Sequence, residues 1–292
     1  MSNPIIFYFQ PPFTGWMPTS IFQALFDSYA QLYPDKIIAN HSIVYNNNCG
    51  HKTGPHHLII QNVDTGFYKV VTYWDRAHEV LNDNCDWNNA KCLGVYSSVD
   101  SKVYNEITSA SYCVYNQNIE DLIQNSNTDF EYKTEDSLCF RGFLYTTRLS
   151  AKENLDQFPN NDINVYSNRI SYKEYVEEIN IHKIGLSFNG AAEICNRDIE
   201  ILGVGSVLLR PELVTTNFYN SLIPNFHYIP FEVVSDPKLQ TEIIMSKRND
   251  LLQDYEYMRY VANNGKAWYN ENGSKEGNVS VLMKTINIEE LL

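Results

Sequence analysis

Short apolar runs and helix-period segments alternate along the chain. Residues 5–10 (IIFYFQ) form an apolar run closed by Pro11 and Pro12, which predicts a buried strand. A Thr14-Gly15 loop follows. Ile21, Phe22, Leu25, Phe26 and Tyr29 then fall on one helical face, with Pro18 and Thr19 at its start. Residues 36–45, 57–63, 68–74, 92–96 and 111–115 read as further strands, with helices at 75–81 and 118–124. Asp64-Thr65-Gly66 between two of the strands is a turn signal. Residues 125–136 are polar and aperiodic, which places a domain boundary there. Beyond it, strands at 138–145, 163–166, 183–188, 206–209 and 228–231 alternate with helices at 151–158, 172–179 and 193–202, and a helical tail runs from 237 to 268. This order predicts an α/β protein of two doubly wound parallel-sheet domains, residues 1–130 and 137–292, with the ligand in the cleft between them.

Composition narrows the function classes. Apolar residues make up 43% and charged residues 20% of the 292, a globular balance. The net charge of −13, with no Lys/Arg cluster, argues against nucleic acid and anionic membranes as partners. A few placed arginines can still hold a small anion. The six cysteines form no CxxC pair and the seven histidines no ligand spacing, so free thiols and no structural metal are expected. The first residues lack a basic leader, and no apolar run reaches membrane-spanning length, so a soluble, cytoplasmic protein without membrane insertion is expected. There is no P-loop and no GxSxG elbow. The GVGS stretch at 203–206 lies between a helix and a strand, the reverse of the dinucleotide fingerprint, and its glycines read as a helix stop and tight turn.

Two stretches carry candidate chemistry. A strand at 183–188 ends in Asn189-Gly190, and a helix is expected to start close to Ala191. A helix start presents free N–H groups and the positive dipole end, a seat for phosphate oxygens. Spacings of four and three put Glu193, Arg197 and Glu200 on one face of that helix. Arg197 offers a charged fork to a diphosphate, and Glu200 can accept ribose hydroxyls. A surface charge ladder is the plainer alternative, but Cys195, Ile199, Ile201, Leu202 and Val204 make the helix mostly apolar. Arg141-Gly142, at the end of another strand, can aim a second guanidinium into a cleft or form an ordinary interdomain salt bridge.

These residues resemble glycosyltransferase family 90, the protein O-glucosyltransferase and capsule xylosyltransferase group. The likeness runs through residues 183–268. It comprises the strand, the glycine turn, the helical Arg197, then GSVLL, NFYNSLIPNFHYIPFE and VANNGKAWYNE, with Phe140-Arg141-Gly142 matching an upstream FRG motif. Glu200, five residues before Gly205, is also similar to the glutamate of the E-A-M-A-x-G helix in enzymes of the GT-B fold. A second glutamate of that helix would fall at Ala192, with Glu193 beside it. The resemblance implies two Rossmann-like domains of GT-B type. It also implies an inverting, metal-independent transferase moving a sugar, glucose or xylose first, from a UDP-sugar to a glycan or protein hydroxyl, with no cofactor beyond the donor substrate. Arg141, Gly142, Asn189, Gly190, Glu193, Arg197 and Glu200 would hold the donor. The family's base is an aspartate of the first domain, and Asp64, then Asp75, are the candidates here. A non-catalytic sugar- or nucleotide-binding module on the same fold is the rival reading, and an epimerase or phosphorylase a third.

Overall fold

The computed structural model describes residues 4–12, 15–42, 45–46, 51–52, 57–72, 90–93, 114, 116–141, 158, 163–166, 170–189, 194–213 and 220–292. The expected helix at 75–81, all but the last residue of the one at 151–158 and most of the strand at 111–115 lie outside these residues. Two compact units divide the chain: Met1–Gln117 with Thr215–Ser221 and Glu271–Leu292, and Asn118–Val214 with Leu222–Asn270.

In the first unit, β1 (Ile5–Tyr8) is followed by α1 (Met17–Leu32), β2 (Ile37–Asn40), a short ribbon of β3 (Tyr45–Asn46) and β4 (His51–Lys52), then β5 (His57–Asn62), β6 (Tyr68–Thr72) and β7 (Ala90–Leu93). The sheet order is β2-β1-β5-β6-β7. The alternation in β1 buries Ile5 and Phe7, and Phe22, Leu25 and Tyr29 of α1 are buried too. β5 runs antiparallel to both β1 and β6, while the β1–β2 and β6–β7 pairs are parallel. A purely parallel sheet was expected here. The Asp64 turn dictates the difference, since a connection that short can join only antiparallel strands.

The second unit begins with α2 (Gln117–Gln124) and continues through β8 (Glu135–Arg141), β9 (Ile163–Tyr166), α3 (Tyr172–Ile181) and β10 (His182–Leu186). It goes on through α4 (Asn196–Gly203), β11 (Val207–Pro211), β12 (Ile229–Phe231), α5 (Pro237–Gln253) and α6 (Tyr255–Trp268). Its sheet, β12-β11-β10-β8-β9, is parallel throughout. Leu138, Phe140, Ile184, Leu186, Val207 and Leu209 of its strands are buried with Met258, Val261 and Ala262 of α6. The strand order reverses between β8 and β10, so their carboxyl ends flank a topological switch point, where open α/β sheets bind ligands.

Glu271–Leu292 was expected in the second domain but clusters with the first unit. The reason is the burial of α7 (Lys275–Ile286): Val281, Leu282 and Ile286 are buried, and the helix lies along α1. Lys69 of β6, fully buried, donates to the carbonyls of Ile286 and Asn287 and pairs with Glu290 at 2.8 Å. Asn62 Nδ2 donates to the Leu291 carbonyl at 2.7 Å.

Candidate functional site

The switch point of the second unit is built from the ends of β8 and β10 and the first turn of α4. Helix α4 starts at Asn196, five residues later than the expected start at Ala191. The Asp198 carboxylate fixes that start by accepting the Cys195 backbone N–H at 2.8 Å. A side-chain carboxylate therefore already occupies part of the helix entrance expected to receive phosphate. Glu193, Gly190 and Gly142 lie outside the described residues.

Arg197 sits in the first turn of α4 with 8% of its surface exposed. Its guanidinium lies 4.4 Å from the centroid of the Phe140 ring, and Phe140 stands edge-on to Phe188 at 5.8 Å. Its Nε and Nη1 are buried and find no hydrogen-bond partner among the described residues. Buried charges are normally paired, because an uncompensated one costs about 3–5 kcal/mol. Ser187 Oγ, Asn196 Oδ1 and Asp198 Oδ1 are also buried without partners. Five of the eight such atoms among the described residues thus fall between residues 187 and 198, which marks this place as built for something polar.

Glu200, on the next turn of α4, is 6% exposed, and one carboxylate oxygen accepts a short hydrogen bond from the Tyr175 hydroxyl of α3. Burial raises its carboxyl above the usual glutamate range, while the Tyr175 bond and the Arg197 charge pull the other way. Burial and the Glu200 charge push the Tyr175 hydroxyl up in turn. Arg141, at the end of β8, forms a two-pronged ion pair with Glu178 of α3, with Nη2 at 2.9 Å from Oε1. Both partners belong to the second unit, so this is not the interdomain bridge that the sequence allowed. Burial drives the Cys139 thiol beside it up to about 12.

Asn189 is exposed, and its Oδ1 accepts from Arg210 Nη2 at 2.9 Å. Arg210, on β11, is 1% exposed and also pairs with the fully buried Asp198 at 2.5 Å. The sequence reading missed both Arg210 and Asp198. The available signal was a charged residue closing the apolar run VLLRP, and an aspartate three residues after Cys195.

The base candidates belong to the first unit. Asp64 stands exposed in the turn after β5, with its own N–H bonded to Asn62 Oδ1 at 2.9 Å. Asn62 pairs with Ile5, at the amino end of β1. The edge that carries Asp64 is thus opposite the carboxyl ends of β1, β2 and β6, where ligands of such sheets bind. Asp75 lies outside the described residues. His41 is at the carboxyl edge: its Nδ1 is 3.2 Å from the Phe9 carbonyl, and its ring stands edge-on to Phe9 at 4.8 Å. Among the described residues no group of three His, Cys, Asp or Glu side chains could hold a metal, and no helix is long and apolar enough to cross a membrane.

No protein-family model and no curated protein matches the chain. Among solved structures, an α-glucosyltransferase in complex with UDP-glucose and DNA containing an abasic site aligns with 96% of this chain and 98% of its own, at 9% identity and a TM-score of 0.48. WaaG, a glycosyltransferase involved in lipopolysaccharide biosynthesis, aligns over 91% of this chain and 81% of its own, at 10% identity and a TM-score of 0.41. The N-terminal domain of Candida albicans trehalose-6-phosphate phosphatase aligns over 62% of this chain at 11% identity and a TM-score of 0.41, and this chain spans about half of it (49%). With identities and scores this low, what the protein does has to be read from its own residues.

Proposed function

We propose that the protein is a glycosyltransferase of family 90 type, moving glucose or xylose from a UDP-sugar to a hydroxyl of a glycan or protein, with inversion and without a metal ion. The buried guanidinium of Arg197 at the switch point, with two donors unfilled among the described residues, carries this reading. Two unfilled donors on a fixed cation suit the oxygens of a diphosphate. Glu200 offers its second oxygen to a ribose hydroxyl while Tyr175 holds the first. The sequence likeness over residues 183–268 points the same way.

In the proposed reaction the acceptor oxygen bonds to the anomeric carbon as UDP leaves with the electron pair of the old bond. The acceptor proton passes to a carboxylate base. Arg197 offsets the charge that grows on the leaving diphosphate. Asp64 falls on the edge opposite the one where ligands of such sheets bind, so Asp75 is taken as the base. UDP release from UDP-glucose and UDP-xylose, measured with EDTA present, tests the proposal. Arg197→Ala is expected to abolish release, and Asp75→Asn to lose turnover while keeping donor affinity. Turnover retained in Arg197→Ala would contradict the donor site. Donor binding without turnover in the wild type, whatever acceptor is supplied, would favour the binding-module reading.

A further inference from the structure

Resting on that reading of Arg197, we propose that Arg210 is a positioning residue, whose single guanidinium ties the carboxyl end of β10 to the first turn of α4. Nη2 donates to Asn189 Oδ1 at 2.9 Å, Nη1 to Asp198 Oδ2 at 2.5 Å, and Nε to the Pro211 carbonyl at 3.0 Å. Asp198 Oδ2 also accepts the Cys195 N–H, so the same oxygen sets where α4 begins. The Cys195 thiol donates to the Phe188 carbonyl at 3.3 Å, a second tie between the strand end and the helix start. Arg197 is the helical neighbour of Asp198, so the strap sets the position of the guanidinium assigned to the diphosphate.

Charge accounting supports the same division of labour. Three arginines and three carboxylates gather here. Arg141 is spent on Glu178, and Arg210 on Asp198. Glu200 is held by Tyr175, and Arg197 keeps two donors open. With Asp198 neutralised by Arg210, it does not compete with a ligand for Arg197. A lysine at 210 could keep the charge but could not span Asn189, Asp198 and the Pro211 carbonyl, because only the planar fork presents donors in fixed directions.

The test is a calorimetric titration of UDP into four proteins: wild type, Arg210→Lys, the double variant Arg210→Met/Asp198→Asn, and Val261→Ala. The double variant removes both buried charges together, which avoids stranding one of them. Val261→Ala is a control that loosens the core of the same unit away from the strap. Misplacing a binding group by a fraction of its contact distance is expected to weaken UDP about tenfold or more in the double variant, with Arg210→Lys intermediate. Val261→Ala should bind like the wild type even at a lower melting temperature. Should the double variant not fold, the intermediate affinity of Arg210→Lys alone decides. UDP affinity within about twofold of wild type in a folded Arg210 variant would overturn the positioning role and leave the Arg197 site standing. Absence of UDP binding in the wild type would overturn both.

Discussion

At the residue scale, the site turns on which charges are paired. Glu200 is buried beside Arg197 and Tyr175, and burial holds its proton more tightly in the folded protein than in the unfolded chain. Stability from this group is therefore lost as pH rises from the ordinary glutamate value through the raised one. Glu200→Gln carries no titrating proton and removes that loss. Urea unfolding should show the variant gaining on the wild type between mildly acidic and neutral pH, even though it binds UDP more weakly. Parallel stability curves would contradict the burial argument. Arg197 and Glu200 were legible in the sequence because charges within an apolar helix have few explanations. The Tyr175 partner of Glu200 was not, nor was the Arg141–Glu178 pair: Tyr175 and Glu178 both come from α3, and no local spacing encodes those contacts.

At the scale of elements, α4 is the piece on which the account depends. Its start was misplaced because Asn189-Gly190 looks like a helix entrance, while the cap is Asp198 reaching back to the N–H of Cys195, a residue that rarely marks a helix start. Its end was read correctly, for a physical reason that the structure supplies. Gly205 has φ +73°, and a Cβ there would stand 2.5 Å from the Thr128 carbonyl oxygen. Gly205→Ala meets both a left-handed backbone and a backbone clash, so a loss of about 2–3 kcal/mol is expected in chemical denaturation. A change below about 0.5 kcal/mol would mean that the turn rearranges freely. Lys133 and Lys266 hold the carbonyls of Val204 and Gly203 at the end of the same helix. Burial lowers their ammonium groups to about 7 and about 8.

At the scale of the whole molecule, the alternation of strands and helices made the α/β class and most strands of the second unit readable. The return of the chain to the first unit was not readable, because a helical tail looks alike whichever core it covers. That return has a consequence. Without residues 286–292, Lys69 would be a buried ammonium stripped of both carbonyls and of Glu290. Deleting them should destabilise the first unit by about 3–5 kcal/mol. Hydrogen exchange would show this as lost protection in β5 and β6, with β10 and β11 unchanged. Unchanged protection in β5 and β6 would show that the tail is dispensable.

The central claim is that Arg197 keeps two buried donors open for a diphosphate. It is tested most directly by thermal unfolding of wild type and Arg197→Ala with UDP-, GDP- and dTDP-sugars in EDTA. A ligand far above its Kd adds about 2–4 kcal/mol to stability. The account predicts such a shift with a UDP-sugar in the wild type and none in Arg197→Ala. No shift with any nucleotide sugar, or an equal shift in both proteins, would contradict it.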